Sequence, residues 1–186
     1  MEKIGIIHGR FQAFHNGHLQ YILNGIDHCD HIFIGITNYD IYEEKPYNHY
    51  DSVRANRSSN PFSFYHRFMM IKNSLLESHI SIDKFDIVPF PIEYPNKICQ
   101  YVPMNGIFFI ALLDEWDRRK LDIFKSLEVK TEILHPPILF PNENRISGTL
   151  VRNNIRQDME WKNLVPNAVY NYIIDNNLID LVKKTY

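Results

Sequence analysis

The chain carries the segment GRFQAFHNGHL at residues 9–19, directly after an apolar run at residues 4–7 and before residues with helical spacing. This order is typical of a strand-to-helix turn in an α/β sheet, where backbone N–H groups and a helix N-terminus can bind an anion. Gly9 lets the backbone approach a ligand closely, and His15 and His18 point the same way once the chain turns helical. The segment therefore predicts a site for a nucleotide phosphate.

Two other binding modes for this segment are set aside. His15 and His18 have the spacing of a metal-binding pair, but no convincing third ligand lies nearby in the sequence, so we predict no metal site formed by the protein itself. The spacing also differs from the dinucleotide fingerprint G-x-G-x-x-G and from the P-loop G-x-x-x-x-G-K-[ST]. The segment is therefore expected to bind an anion in a way that differs from both of these motifs.

Composition limits the class of protein. The 186 residues, 45% of them hydrophobic, are enough for one buried core, so we expect a single domain over residues 1–186. A formal net charge of −2 argues against a general nucleic-acid binder. Two cysteines and the lack of a signal peptide or long apolar run predict a cytoplasmic protein without membrane contact.

Apolar runs alternate with helical patterns along the chain. The predicted strands cover residues 4–7, 31–37, 85–90, 106–113 and 129–134. Ser63 is a predicted N-cap of the helix that follows it. The alternation predicts a Rossmann-like, doubly wound parallel sheet of about five strands, with a small helical C-terminal part at residues 158–186.

Residues 38–60 interrupt this alternation. They are rich in Tyr, Asn, Asp and Arg and have no apolar period, and loops of this length are often functional. We interpret the segment either as a flap over the site, with Arg54 and Arg57 reaching phosphates, or as a surface insertion with solvated arginines.

A second anion-binding pattern occurs near the C-terminus, in the sequence RISGTLVR at residues 145–152. Ser147 and Thr149 can cap a new helix and offer hydroxyl groups beside its N–H groups. Arg152 lies one turn later on the same side as Thr149. We expect this pattern to face the first segment across the edge of the sheet.

Both patterns resemble motifs of the nucleotidyltransferase superfamily. The first is similar to G-R-F-Q-P-x-H-x-G-H-L, with Ala13 in place of proline, and the second matches I-S-G-T-x-V-R. The sequence NPFSFYHR at residues 60–67 resembles the N-P-F-T-x-x-E-R element of archaeal-type nicotinamide-mononucleotide adenylyltransferases, with His66 in place of glutamate. After the fourth strand, where that family has a Ser-Gly-Asn-Pro-like segment, this chain has residues 114–120, DEWDRRK.

The resemblance implies roles for particular residues. Those expected to bind ATP are Gly9, Arg10, Phe11, Gln12, His15, His18, Ser147, Gly148, Thr149 and Arg152. Among them His15, His18 and Arg152 are the expected catalytic residues. The expected acceptor-binding residues are Asn60, Arg67, Asn96 and Trp116, although Trp116 could instead pack against its own helix. Mg²⁺ is expected to arrive bound to the ATP phosphates.

The activity favoured by the resemblance joins ATP and nicotinamide mononucleotide to give NAD and pyrophosphate. A second class uses another phosphorylated acceptor, such as nicotinate mononucleotide, pantetheine phosphate, or a sugar or alcohol phosphate with CTP. A third class is a non-catalytic nucleotide-binding regulator. The expected partners are ATP and a phosphorylated small molecule, and a homo-oligomer is expected.

Overall fold

The structure is a computed structural model that describes residues 2–40, 56–112, 115–134 and 146–184. Five strands form one sheet in these residues, and every strand pair in it is parallel. The strands are β1 (Ile4–Gly9), β2 (His31–Ile36), β3 (Phe85–Pro89), β4 (Ile107–Ile110) and β5 (Lys130–Ile133). The doubly wound sheet that the alternation predicts is confirmed.

Helices connect the strands and cover both faces of the sheet. They are α1 (Asn16–Ile26), α2 (Phe64–Glu77), α3 (Glu115–Ser126), α4 (Gly148–Arg156), α5 (Asn167–Asp175) and α6 (Ile179–Lys184). Short 3₁₀ helices occur at Arg57–Ser59, Ile82–Lys84, Pro95–Gln100 and Lys162–Leu164. In the C-terminal part, α5 packs on α2 and α6 packs on α4.

The strand order is β3-β2-β1-β4-β5, so the winding direction reverses at β1. The crevice outside the carboxyl ends of β1 and β4 is the usual ligand site of such a sheet. Gly9, the last residue of β1, pairs with Ile36, and the segment that follows Gly9 lies at this edge. The fold thus places the first motif where a ligand is expected.

Strand β1 sends its side chains to two different cores. Ile7 belongs to the core under α1, α2 and the C-terminal helices, whereas Ile6 belongs to a smaller core with Phe108 and Phe124. Successive side chains of a strand point to opposite faces, so His8 lies on the same side as Ile6 and Phe124 of α3. A histidine therefore stands among apolar side chains on the α3 side of the sheet.

The described boundaries differ from those expected at several places; strand β1, for example, continues to Gly9 instead of ending at residue 7. Strand β4 covers four residues rather than the eight of the apolar run, because residues 106, 111 and 112 have no strand partner in the described sheet and residue 113 lies outside the described part. In the segment 38–60, Arg57–Ser59 form a 3₁₀ turn capped by Asn56. Residues 41–55, which include Arg54, and residues 135–145 lie outside the described part, so the proposed flap stays a prediction.

Candidate active site

The turn between β1 and α1 ends at His15, which is the N-cap of α1. Its backbone is extended, and its Nδ1 accepts a hydrogen bond from the backbone N–H of His18 at 3.3 Å. A neutral imidazole that accepts through Nδ1 carries its proton on Nε2. His15 therefore presents an N–H donor on the side of the ring away from the helix.

The rings of His15 and His18 stack on each other. Their centroids are 3.6 Å apart and their planes differ by 21°. Phe11 holds the His18 ring in an edge contact with centroids 5.0 Å apart. A Cβ atom at Gly17 would lie 3.2 Å from the His15 ring, so the glycine leaves room for this ring position. The two imidazoles point together, as the spacing predicts.

Gln12 ties this turn to the start of α2. Its side-chain amide donates to the carbonyl of Phe62 at 2.8 Å, and its side-chain oxygen accepts from the N–H of Phe62 at 2.9 Å. Gln12 is buried, so both hydrogen bonds are shielded from water. These bonds give the Gln12 side chain a positioning role. Its expected contact with ATP stays a prediction.

The second motif forms the N-terminus of α4. Ser147 is the N-cap and accepts from the N–H of Leu150 at 3.1 Å, which is the cap that the sequence predicts. Thr149 accepts from the Arg152 guanidinium at 3.1 Å. Ser147 and Thr149 are exposed. Hydroxyl groups, the first N–H groups of the helix and a guanidinium thus lie together at one helix end, a favourable arrangement for phosphate.

The two motifs are in direct contact. Arg152 donates a hydrogen bond to the backbone carbonyl of Gln12, although 140 residues separate them. Gly148 lies against the same carbonyl, and a Cβ atom at this position would be 2.2 Å from its oxygen. Only a residue without a side chain fits there. The fold therefore brings the two predicted phosphate-binding segments together into one site.

Positive charge is concentrated at this junction. Burial, together with the charges of Arg10 and Arg156, lowers the pKa of Arg152 to about 10. The Nε of Arg152 is buried and has no hydrogen-bond partner within the described ranges. A bound anion would offset this repulsion and strengthen the charged form of the guanidinium. The electrostatics favour a polyanionic ligand.

Arg67 lies beneath the site rather than on its surface. The side chain is fully buried and donates to four backbone carbonyls, those of Ser63 at 3.2 Å, Arg10 at 2.9 Å, Thr37 at 2.7 Å and Asn38 at 2.6 Å. Burial lowers its pKa to about 9, so the group is still charged at neutral pH. These bonds all go to the protein backbone, and the expected contact of Arg67 with an acceptor stays a prediction. Arg67 fixes the ends of β1 and β2 relative to α2.

The other expected acceptor residues occupy different places. Asn60 is buried and its side-chain oxygen accepts from Asn38 at 3.3 Å, beside the end of β2. Asn96 is exposed on the 3₁₀ helix Pro95–Gln100. Trp116 belongs to α3, and its side chain lies outside the described part of the structure. The acceptor contacts of these residues stay predictions.

A group of buried polar residues on the α3 side of the sheet was not predicted from the sequence. His8 is 7% exposed and stacks on Phe90, with ring centroids 4.8 Å apart. In α3, Lys120 pairs with Asp117 at 2.6 Å, with side chains only 15% and 10% exposed. A histidine within an apolar strand and an Asp-x-x-Lys spacing on the next helix of that face were the available signals.

Burial lowers the pKa of His8 well below its usual range, and the charge of Lys120 lowers it further. Burial also raises the pKa of the Tyr21 hydroxyl, with the charge of Asp117 as a second cause. Asp117 and Lys120 thus form an ion pair whose charges act on Tyr21 and His8, respectively, and the imidazole is neutral at neutral pH.

Two further features of the described residues bear on metal binding and on membrane insertion. Within residues 2–40, 56–112, 115–134 and 146–184, no group of three or more His, Cys, Asp or Glu side chains is arranged to hold a metal ion. The donors at the junction of the two motifs instead suit an anion, and Mg²⁺ would fit as a companion of a triphosphate. None of the described helices is both long and apolar enough to span a membrane.

The sequence pattern of the cytidylyltransferase-like family matches residues 6–154, which include both motifs. This chain belongs to that family. It is a nucleotidyltransferase of the superfamily that the two motifs indicate, and it resembles archaeal nicotinamide-nucleotide adenylyltransferases, as expected. The match covers the sheet, the first motif and the start of α4.

Individual relatives differ in their acceptors. A phosphonoformate cytidylyltransferase from Streptomyces viridochromogenes is 38% identical over 168 residues, covering 89% of this chain and 87% of the relative. A nicotinamide-nucleotide adenylyltransferase from Saccharolobus solfataricus is 29% identical over 176 residues, covering 92% and 90%. The fold is similar to a bifunctional NMN adenylyltransferase/ADP ribose pyrophosphatase from Francisella tularensis, with a TM-score of 0.70 and 20% identity. All of this chain aligns there, but it spans about half of that longer chain.

Proposed function

We propose that this nucleotidyltransferase moves a cytidylyl group from CTP to a small phosphonate acid and releases pyrophosphate. The contact between Gln12 and the second motif supports nucleotidyl transfer most directly, because it joins two anion-binding segments into one site. The relative that uses phosphonoformate shares more identity with this chain than the adenylyltransferases named above, which supports the choice of acceptor.

The proposed reaction is an in-line displacement. An oxygen of the acceptor phosphonate attacks the α-phosphorus of CTP, a phosphorus–oxygen bond forms, and the bond to the bridging oxygen of pyrophosphate breaks. No protein nucleophile is required, so the protein contributes by positioning the reactants and by stabilising charge. Mg²⁺ bound to the phosphates neutralises part of their charge.

Each motif has a part in this scheme. The His15 Nε2–H and the neighbouring His18 ring face the α-phosphate, where negative charge develops during transfer. Arg10 and the hydroxyl groups of Ser147 and Thr149 bind the leaving phosphates together with Arg152, whose guanidinium is held by Gln12. Gly9 and Gly148 leave room for the Phe11 ring and for the Gln12 carbonyl, so the two segments pack closely around the proposed nucleotide site.

Adenylyl transfer from ATP to nicotinamide mononucleotide is the second candidate. It is supported by the relatives from Saccharolobus solfataricus and Methanococcus aeolicus, which are 29% and 30% identical to this chain. Both candidates use the same phosphate-binding residues and differ in the base and in the acceptor. We propose that either reaction takes place in a single domain of a homo-oligomeric, cytoplasmic protein without nucleic-acid or membrane partners.

One experiment separates the candidates. Pyrophosphate release is measured with CTP or ATP against phosphonoformate, 2-hydroxyethylphosphonate, glycerol phosphate, pantetheine phosphate, nicotinate mononucleotide and nicotinamide mononucleotide. We expect the highest kcat/KM for CTP with a phosphonate. Preference for ATP and nicotinamide mononucleotide would replace the first candidate with the second, and no release with any pair would contradict nucleotidyl transfer to this class of acceptors.

A further inference from the structure

His8 is a buried polar side chain to which the described residues offer no hydrogen bond. Neither ring nitrogen has a hydrogen-bond partner within the described part of the chain. Its apolar contacts are the stacked ring of Phe90 and the edge of Phe124, whose centroid is 5.2 Å away. Buried polar atoms are nearly always hydrogen-bonded, because an unmade bond costs free energy. An apolar residue would fill this space without that cost. The unpaired imidazole therefore indicates that a ligand forms the missing hydrogen bond.

The position of His8 indicates which ligand. It directly precedes Gly9, where the phosphate-binding turn begins, and it pairs with Gly35 of β2 in the sheet. It therefore lies at the carboxyl end of the strand where the winding reverses, on the opposite face from α1. A ligand group bound at His8 must therefore belong to a molecule that also occupies the neighbouring turn. A compact acceptor meets this condition.

Lys120 supplies the charge at this place. Its ammonium is held by Asp117 at 2.6 Å, and both side chains are largely buried. Asp117 also acts electrostatically on Tyr21 of α1, whose hydroxyl contacts the backbone of Ala111 after β4. A lysine normally extends toward water, but the Asp117 carboxylate holds the ammonium of Lys120 in a largely buried position from which its charge acts on His8. The neutral imidazole offers one N–H donor and the ammonium offers three.

We propose that His8 and Lys120 bind the carboxylate of a phosphonocarboxylate acceptor and so select it over acceptors with no second acidic group. This inference rests on the proposed cytidylyl transfer. In phosphonoformate the carboxyl carbon is bonded directly to phosphorus, so a phosphonate placed at the first motif brings its carboxylate close to the end of β1. Asp117 acts as a positioning residue that fixes the ammonium of Lys120.

Two pairs of acceptors and four variants test this subsite. Initial rates are measured for phosphonoformate against methylphosphonate and for phosphonoacetate against ethylphosphonate, with CTP as the donor. The variants are His8→Phe, which keeps an aromatic ring against Phe90, His8→Gln, which keeps a donor, Lys120→Met, and Lys125→Met. Lys125 is the matched control, since it has the same i, i+3 pairing on the same helix with Asp122 at 3.5 Å but is exposed.

We expect His8→Phe and Lys120→Met to raise KM for the two carboxylates by about 10- to 100-fold, the usual effect of losing a hydrogen bond to a charged group. The KM values for the alkylphosphonates and for CTP should change by less than about 3-fold, as should every value in Lys125→Met. His8→Gln should recover part of the discrimination. Equal losses for carboxylates and alkylphosphonates would identify a packing role or a buried water and overturn the proposal, as would unchanged KM values.

A direct measurement separates this inference from the proposed function. The ring resonances of ¹⁵N-labelled histidine, with His8 assigned by its absence in folded His8→Phe, are followed while phosphonoformate or methylphosphonate is added. A shift of the His8 signals with phosphonoformate alone supports the subsite even if no nucleotide is turned over, in which case only the proposed reaction fails. No shift, or the same shift with both phosphonates, contradicts the subsite whatever the kinetics show.

Discussion

Arg152 in the second motif donates a hydrogen bond to the backbone carbonyl of Gln12 in the first, and Thr149 accepts from the same guanidinium. One side chain thus holds two motifs that lie 140 residues apart in the sequence. The contact fixes the relative positions of the donors in the two motifs that we propose to bind the nucleotide.

The first prediction concerns this arginine. Arg152→Lys should weaken CTP binding about 10-fold and Arg152→Ala about 100-fold, because a guanidinium makes paired, charge-assisted hydrogen bonds that an ammonium does not copy. CMP should be affected much less, since it lacks the β- and γ-phosphates. Calorimetric titration of the folded variants with CTP, ATP, CMP and AMP measures the ratio.

Arg156→Lys is the matched control for Arg152. Arg156 lies on the same helix and donates to the carbonyls of Ser58 at 2.5 Å and Val182 at 3.2 Å. The change should lower the melting temperature but leave the ratio of triphosphate to monophosphate affinity unchanged. Equal losses of CTP and CMP in the Arg152 variants would assign Arg152 to structure alone.

The second prediction concerns His18. His18→Ala should lower kcat by about 10²- to 10³-fold with a much smaller change in triphosphate affinity, because its proposed contact strengthens as charge develops on the α-phosphate. Steady-state kinetics and a binding titration on one preparation measure both quantities. Turnover near that of the wild type would remove His18 from the mechanism.

The sequence predicts much of this site for a physical reason. Glycines, histidines and hydroxyl residues near strand ends and helix starts have local requirements, so the two motifs, the Ser147 cap and the common direction of His15 and His18 follow from spacing, whereas the stacking of the two rings was not predicted. Contacts between residues that are far apart in the sequence do not follow from local spacing. Nothing near Arg67 in the sequence shows that its partners are the carbonyls of residues 10, 37 and 38.

The sequence pattern does not predict His8 as a site residue, for a related reason. The apolar run ends at Ile7, so the predicted strand stops one residue before the imidazole, whereas β1 continues to Gly9. The partner Lys120 lies on a helix more than 100 residues later. The acceptor is the least predictable part, since the side chains around it come from segments that local patterns do not connect.

The third prediction concerns Arg67. Arg67→Met should lower the free energy of unfolding by about 3 kcal/mol or more, because it leaves several buried carbonyl groups without a donor. Urea denaturation measures this loss. Arg118→Met, at an exposed arginine, is the control and should leave stability unchanged. A small loss in Arg67→Met would show that water replaces the guanidinium.

The fourth prediction concerns pH. The pKa of His8 is lowered in the folded state, so the unfolded chain binds one proton more once the pH falls below its ordinary pKa of about 6.5. Stability contributed by the neutral ring is therefore present above pH 6.5 and is lost as the pH decreases, by about 1.4 kcal/mol for each pH unit until the folded ring titrates.

His8→Phe should reduce this acid sensitivity. Urea denaturation between pH 7.5 and 5 gives the slope of unfolding free energy against pH for both proteins. Part of the slope should persist in the variant, because burial also lowers the pKa of His66. Identical slopes in the wild type and in His8→Phe would show that His8 is not held neutral by the fold.

The hydrogen bonds of Arg67 have a consequence for divergence within the family. Its guanidinium contacts carbonyl oxygens of Arg10, Thr37 and Asn38, which every residue type provides, and no side chain of these three residues takes part in those bonds. A substitution at position 37, beside the crevice, therefore keeps the carbonyl group that Arg67 needs. Position 38 is more restricted, because Asn38 has a φ of 50°, a conformation that favours asparagine or glycine. The side chain at position 37 can thus vary without loss of the anchor that aligns the phosphate-binding turn.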